Sequence, residues 1–228
     1  MNPILLLHGA LGTAKQLQPL AQELSARKAV HSLNFTGHGG NPAPANGYSF
    51  DVFAADILQY LDNNDLQQAD IFGYSMGGYA ALYFAQLHPD RVGKIATLGT
   101  KLLWTTEGSQ QEVKMLDAGK IAAKVPAFAE QLAQQHGADN WKLVLAATAK
   151  MMLNLGQSPV LESAHYQAIQ HKVLLAIGDK DHTAGLEDTV AIYRLLPNAQ
   201  LWVLPATPHP LDKVDTTLLA EGLKKFLG

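Results

Sequence analysis

The residues that could do chemistry in this chain begin with Ser75, at the centre of Gly73-Tyr74-Ser75-Met76-Gly77. A serine hydroxyl is a weak nucleophile and must be presented, unshielded, both to a base and to a site that accepts developing negative charge. A strand that ends in a sharp turn into a helix does this. Backbone and helix then approach so closely that side chains at the flanking positions clash, which accounts for Gly73 and Gly77, and Gly78 adds room. The bland reading of the same residues is a glycine-rich strand-to-helix turn with an ordinary capping serine. A base for Ser75 is available in His209, whose neighbours Pro208 and Pro210 restrict the loop and could preorganise an imidazole. A histidine held between two prolines on a surface loop can equally be idle. An acid to orient that imidazole is offered twice in Gly178-Asp179-Lys180-Asp181. Asp179 can be spent on starting the turn, whereas Asp181 lies further out, where a long loop can fold it toward the serine.

Acyl transfer also builds charge on the carbonyl oxygen, and a single backbone N–H aimed at it is worth about 3 to 4 kcal/mol in the transition state. One donor is expected in the amide of Met76, at the start of the helix that follows the serine, where the helix dipole helps. The other is expected in Ala10, in the loop His8-Gly9-Ala10 after the first strand. His8 itself is read as shaping that loop.

These residues need elements to hold them, and the apolar pattern supplies them. Short apolar runs bounded by Gly, Pro or polar clusters predict strands at 4–7, 29–35, 69–73, 94–98, 172–177 and 200–204. Helical spacing predicts helices at 14–26, 49–63, 77–87, 186–195 and 216–226. The alternation of the two is the mark of repeated strand–helix units around a buried parallel sheet. Residues 39–47, rich in Gly and Pro, read as a loop. From about Lys101 to His165 there is no good strand, only helical patterns at 113–124 and 139–155, interrupted by Pro126 and closed by Pro159. This is read as a helical insertion, with residues 1–100 and 166–228 forming the core. Trp104, Met115, Trp141, Met151 and Met152 in it would suit an adaptable apolar lid, or would simply fasten the insertion to the sheet.

The bulk composition narrows the partners. At 228 residues and 47% apolar content, the chain can bury one sizeable core together with such an insertion. With 17 basic and 20 acidic residues, a net charge of -3 and no like-charge run longer than two, neither a nucleic acid nor an anionic membrane is an expected partner. The absence of cysteine excludes disulfides, thiolate metal sites and a cysteine nucleophile. The first residues carry neither a basic stretch nor an apolar run long enough for a signal or a membrane span, so a cytoplasmic location is expected. His136, His165 and His171 lack the close helical pairing of zinc sites, His38 is read as structural, and His31 and His88 as bystanders; His182 could reach the site but, next to Asp181, cannot easily turn back onto that carboxylate. No metal and no cofactor are expected.

Taken together, His8-Gly9, Thr36-Gly37-His38-Gly39, Gly73-Tyr74-Ser75-Met76-Gly77, Gly178-Asp179-Lys180-Asp181 and Thr207-Pro208-His209 resemble the α/β-hydrolase superfamily along nearly the whole chain. The order serine, acid, histidine, each after its own strand, is the order of a triad on that fold. The resemblance implies that the acid is the last residue of the GxxD turn, Asp181, and that the lid is the segment from Lys101 to His165. It implies a mostly parallel sheet of about six strands, without the family's first two, since the chain begins at what would be the third. Pro-His-Pro stands where Gly-His is commoner. The expected function is a serine hydrolase acting on a small to medium carboxylic ester or thioester through an acyl-enzyme, with Ser75, Asp181 and His209 as its triad. The same triad on this scaffold also serves C–C bond hydrolases, lyases and cofactor-free haloperoxidases, and a non-catalytic small-ligand receptor is the alternative from another class. A small acyl substrate is the expected partner, with assembly into a homodimer left open.

Overall fold

The structure is a computed structural model, and it describes residues 2–26, 28–44 and 47–228, so two residues of the expected 39–47 loop lie outside the described residues. Among the described residues six strands are present: β1 Ile4–Leu7, β2 Val30–Leu33, β3 Ala69–Tyr74, β4 Val92–Leu98, β5 Val173–Lys180 and β6 Ala199–Pro208. They pair in the order β2-β1-β3-β4-β5-β6, and each of these five pairings is parallel. The helices are α1 Gln18–Leu24, α2 Phe50–Asn63, α3 Met76–Leu87, α4 Thr106–Glu112, α5 Ala118–Lys124, α6 Pro126–His136, α7 Asn140–Gln157, α8 Ser163–Ala168, α9 Leu186–Tyr193 and α10 Thr216–Leu227.

A parallel sheet covered on both faces requires strands that are apolar on both sides, and β1 and β3 are buried at every position. Strand alternation then divides the core in two. Leu5, Leu7, Ile71, Ile95 and Leu175 pack with α2, α3 and Ile192 of α9, while Ile4, Leu6, Phe72, Ala96 and Leu174 pack with Leu20 and Leu24 of α1 and Leu219 and Leu223 of α10. α3 is buried from Met76 to Ala85, which explains why its sequence is apolar on every side rather than along one stripe. The chain reverses its direction of growth between β1 and β3, since β2 lies on one side of β1 and the later strands on the other. That crevice, at the carboxyl ends of the strands, is where open α/β sheets bind ligands.

Two boundaries differ from expectation in a way that matters. β5 and β6 continue to Lys180 and Pro208, beyond the expected ends at 177 and 204, through an irregularity between Gly178 and Lys180. Pro205-Ala206-Thr207-Pro208 has no strand pattern. It stays in the ladder because Ala206 takes a φ of 51° and Asp179 Oδ1 accepts a hydrogen bond from the Thr207 amide at 3.2 Å. A side chain at 178 would collide with the Thr207 carbonyl, so glycine is required there.

Between β4 and β5 the chain is helical, α4 to α8, where no strand was expected. The expected helix at 113–124 is split: 113–116 is a 3-10 turn, and Asp117 starts α5 by accepting from the Lys120 amide at 2.9 Å. Ile121, Ala129, Leu132, Trp141 and Leu145 form a small core within this segment. Val144, Met151 and Leu155 of α7 join the main core instead. The segment is fastened to α3 by the hydrogen bond from the Leu161 amide to Tyr79 Oη, and to the strand-end loop by that from Tyr166 Oη to the Leu102 carbonyl. Among the described residues no helix is long and apolar enough to cross a membrane.

Candidate active site

Ser75 stands between β3 and α3 with φ 51° and ψ -116°, a conformation a non-glycine residue holds only when its surroundings impose it. The surroundings are identifiable. The Ser75 amide donates to the Leu98 carbonyl at 2.9 Å, and its carbonyl accepts from the Gly78 amide at 3.0 Å and from Thr100 Oγ1 at 3.1 Å. A side chain at 73 would run into the backbone of Gly77 and Gly78, and one at 77 into the carbonyls of Leu7 and His8. The flanking glycines are therefore there for space, as their spacing led us to expect.

Ser75 Oγ lies 3.2 Å from His209 Nε2, and His209 Nδ1 lies 2.8 Å from Asp181 Oδ2. With Nδ1–H donated to the carboxylate, Nε2 is left free to accept from the serine. The extended ladder of β5 and β6 makes this meeting: Lys180 pairs with Pro208, so the residues immediately after each, Asp181 and His209, emerge side by side. Asp179 is turned to the Thr207 amide and does not touch the imidazole. Burial pushes the Asp181 carboxyl up, but hydrogen bonds from His209 and from the Ala184 and Thr183 amides, both at 2.9 Å to Oδ1, outweigh burial and hold it below the ordinary value. It is ionised at neutral pH.

Three residues that sequence reasoning passed over complete the frame. Tyr74 Oη donates to the His209 carbonyl at 2.9 Å, with the two rings 5.5 Å apart. Thr100 holds the elbow. Gly99, at φ 58°, sits where a side chain would meet both Asp181 and His209. Only the place of Tyr74 as the second residue of the elbow motif and the strand-to-loop position of Thr100 offered a signal, and neither is specific.

Ala10 and Met76 line one cavity with Ser75, and among the described residues neither amide is taken by a protein acceptor. The loop carrying Ala10 is pinned by histidines. His8 Nδ1 donates to the Gly9 carbonyl at 2.8 Å while Nε2 accepts from the Phe35 amide at 3.1 Å. His136, in α6, donates from Nε2 to the Leu11 carbonyl at 3.0 Å and accepts at Nδ1 from the Gly39 amide at 3.2 Å. So His136, which has no neighbour in sequence to mark it, joins His8 and His38 in a row with ring centroids 5.0 and 5.7 Å apart. Burial first, and then the neighbouring imidazole, pushes His8 down to about 3. Burial pushes His38 down to about 4 against the raising effect of its hydrogen bond to Thr36, and His136 is lowered by burial as well. All three are neutral at pH 7. Of the remaining histidines, exposed His182 makes no contact with His209, and His31, His88, His165 and His171 lie away from Ser75.

Two spaces meet at this site. One, of about 40 Å³, is lined by Ser75, Met76, Ala10, Tyr79, Trp104 and Met151 among others. The second is an open groove of about 780 Å³ that reaches His209, Tyr74 and Ala10 and runs out between α1, α6 and α10. Trp104, Met151 and Met152 thus face the small space, Trp141 belongs to the helical core, and Met115 is exposed.

Residues 2–139 match the family model of the alpha/beta hydrolase fold. Over 249 aligned residues the chain is 27% identical to a protein of Synechocystis sp. named as a putative non-heme chloroperoxidase, covering 96% of this chain and 90% of that one. It is 26% identical to a Bacillus subtilis protein named as a putative 2-succinyl-6-hydroxy-2,4-cyclohexadiene-1-carboxylate synthase, covering 98% and 89%. Among solved structures it superposes on a serine hydrolase from Cycloclasticus zankles with a TM-score of 0.81 and 21% identity, over all of this chain and 90% of the other.

Proposed function

Because the chain belongs to the alpha/beta hydrolase fold family, and is an enzyme of that fold rather than a bare scaffold, we propose that it is a serine hydrolase for carboxylic esters or thioesters of small acyl groups. The reading is carried by one observation, the continuous hydrogen-bonded line from Asp181 through His209 to Ser75 Oγ, with Ser75 lining a cavity of about 40 Å³. In the proposed mechanism Ser75 Oγ attacks the acyl carbonyl while His209 Nε2 takes its proton. The Asp181 carboxylate keeps Nδ1 protonated and stabilises the imidazolium. The carbonyl oxygen takes up the electron pair and is held by the amides of Ala10 and Met76, the latter at the positive end of α3. Collapse of that adduct expels the leaving group, which receives the proton from His209. Water, activated by the same imidazole, then attacks the acyl-enzyme, Ser75 Oγ leaves, and the carboxylic acid departs.

The division of space supports the choice of a small acyl group. A cavity of about 40 Å³ exceeds the roughly 10–15 Å³ needed for one water but is far below the volume of a long acyl chain. The leaving group must come within reach of His209, and His209 lines the larger groove. A short acyl chain on a leaving group of almost any size suits both. The helices from α4 to α8, whose Trp104 and Met151 wall the small cavity, act as the lid in this reading.

The test is turnover of a panel of methyl and phenyl esters, acetyl to octanoyl, by the parent and by Ser75→Ala. Turnover confined to the short acyl groups and absent from Ser75→Ala supports the proposal. Undiminished turnover by Ser75→Ala would falsify it.

A further inference from the structure

The wall of the small cavity is not wholly apolar. Lys101 and Glu112 both line it, with Lys101 Nζ 3.2 Å from Glu112 Oε1. Lys101 lies in the loop between β4 and α4, and Glu112 is the last residue of α4, so the pair joins the loop leaving the sheet to the helical segment. Their side chains keep only 19% and 27% of their exposure. The ammonium lies 5.6 Å from the centre of the Trp104 ring, which also lines the cavity, and reaches the Thr183 carbonyl only at 3.5 Å. Lys101 is thereby held in place with donor capacity to spare, since an ammonium has three N–H groups. Glu112 has acceptor capacity to spare, since a carboxylate offers about four lone-pair sites on two oxygens.

An ion pair in a space of this size has a definite consequence for the acyl chain. A purely apolar chain would strip water from the ammonium and the carboxylate without replacing its hydrogen bonds, which is costly. An anionic chain would meet Glu112 and a cationic one Lys101. A hydroxyl, which both donates and accepts, answers both members at once: it accepts from Lys101 Nζ and donates to Glu112 Oε. Ser75, Lys101 and Glu112 line the same cavity of about 40 Å³, so such a hydroxyl belongs on a short acyl chain, close to the carbonyl held at Ser75.

We propose that Lys101 and Glu112 form a specificity subsite that selects short hydroxyacyl groups over their unsubstituted counterparts, an inference that rests on the hydrolase reading above and narrows its substrate class.

The experiment compares kcat/KM for methyl butyrate and for each enantiomer of methyl 3-hydroxybutyrate, followed by titration of the released acid. The parent is expected to favour one hydroxyacyl enantiomer by tenfold or more, well short of the roughly 10⁴-fold that a fully enclosed hydroxyl site achieves, because the Lys101 and Glu112 side chains keep part of their exposure. The double variant Lys101→Met/Glu112→Leu, which turns the subsite apolar at similar volume, is expected to bring the ratio to one or below it. The ratio is independent of the fraction of active protein, so loss of some folded enzyme does not disturb it. A parent that hydrolyses butyrate and hydroxybutyrate equally well, or a double variant that keeps the parent's ratio, overturns the subsite and leaves the hydrolase reading standing. A parent that hydrolyses neither ester overturns the subsite too. In that case labelling by a fluorophosphonate decides the other question: labelling that Ser75→Ala abolishes retains the nucleophile, and no labelling removes it.

Discussion

The elbow around Ser75 and the helices from 106 to 168 are packed in different ways. At the elbow, strands β1 and β3 and helix α3 are buried almost without interruption, and Ser75 is held in a left-handed conformation by hydrogen bonds at its amide and its carbonyl and by glycines that leave no spare volume. The helical segment has a small core of its own, while Met115, Val125 and Leu143 stand 77%, 51% and 59% exposed. Dense packing fixes atoms to fractions of an ångström, and looser packing tolerates changes of shape. For the ester hydrolysis we propose, the contrast implies a division of labour: changes near the elbow should alter how fast any ester is cleaved, and changes in the helices should alter which ester is cleaved.

The largest effect expected is at Ser75 itself. Ser75→Ala should lower kcat by roughly 10⁴ to 10⁶ for every ester, as loss of a triad nucleophile does, with no change in chain-length preference. Next, Asp181→Asn should lower kcat about 10⁴-fold by favouring the wrong imidazole tautomer. Asp179→Asn, two residues away, should cost only a small factor, because Asp179 serves the Thr207 amide. Steady-state kinetics on the pair would break the contrast if the two costs were alike.

In the helices, Met151→Ala enlarges the small cavity, and kcat/KM for hexanoyl relative to acetyl esters should rise about tenfold or more, on the scale of one or two methylenes in an apolar pocket. If instead all esters slow equally, the helices contribute to rate and the division fails.

The coupling between the two regions can be read by pH. His8 and His38 are neutral in the fold, with values near 3 and 4, but take up protons near 6.5 once unfolded. The unfolded state therefore binds more protons below that pH, and stability falls as pH drops from about 6.5 toward 4, by up to about 1.4 kcal/mol per unit for each histidine. Asp181 adds in the same direction once pH falls through its lowered value. Denaturant melts at pH 7.5, 5.5 and 4.5 should show this slope, and His38→Phe should remove one histidine's share of it. The smallest effect belongs to Thr100→Val, which removes one hydrogen bond to the Ser75 carbonyl and should cost about 1 kcal/mol of stability.

Much of this was legible in the chain. Each of the six strands and the five helices covering them fall where apolar spacing puts them, because burial between two layers requires that pattern. Gly73, Ser75 and Gly77 were legible because a close backbone approach leaves few residue types possible. The end of β6 was not, because Pro205 to Pro208 are kept in the sheet by Asp179 and by partners 28 residues away rather than by their own preferences. For the same reason residue types and spacing left Asp179 and Asp181 as rivals, and the fold divides them by a paired register that puts Asp181 beside His209.

What the sequence determined by itself is thus the layered sheet, the strained serine and the residue types a triad needs, since these follow from local period and local sterics. What only the tertiary structure decided is which side chains meet: His136 with the loop of Ala10, Tyr74 with His209, Lys101 with Glu112. Their separations along the chain are 125, 135 and 11 residues. Nothing in a local pattern reports contacts of that kind, because they are made by the packing of whole elements and not by the preferences of the residues that touch.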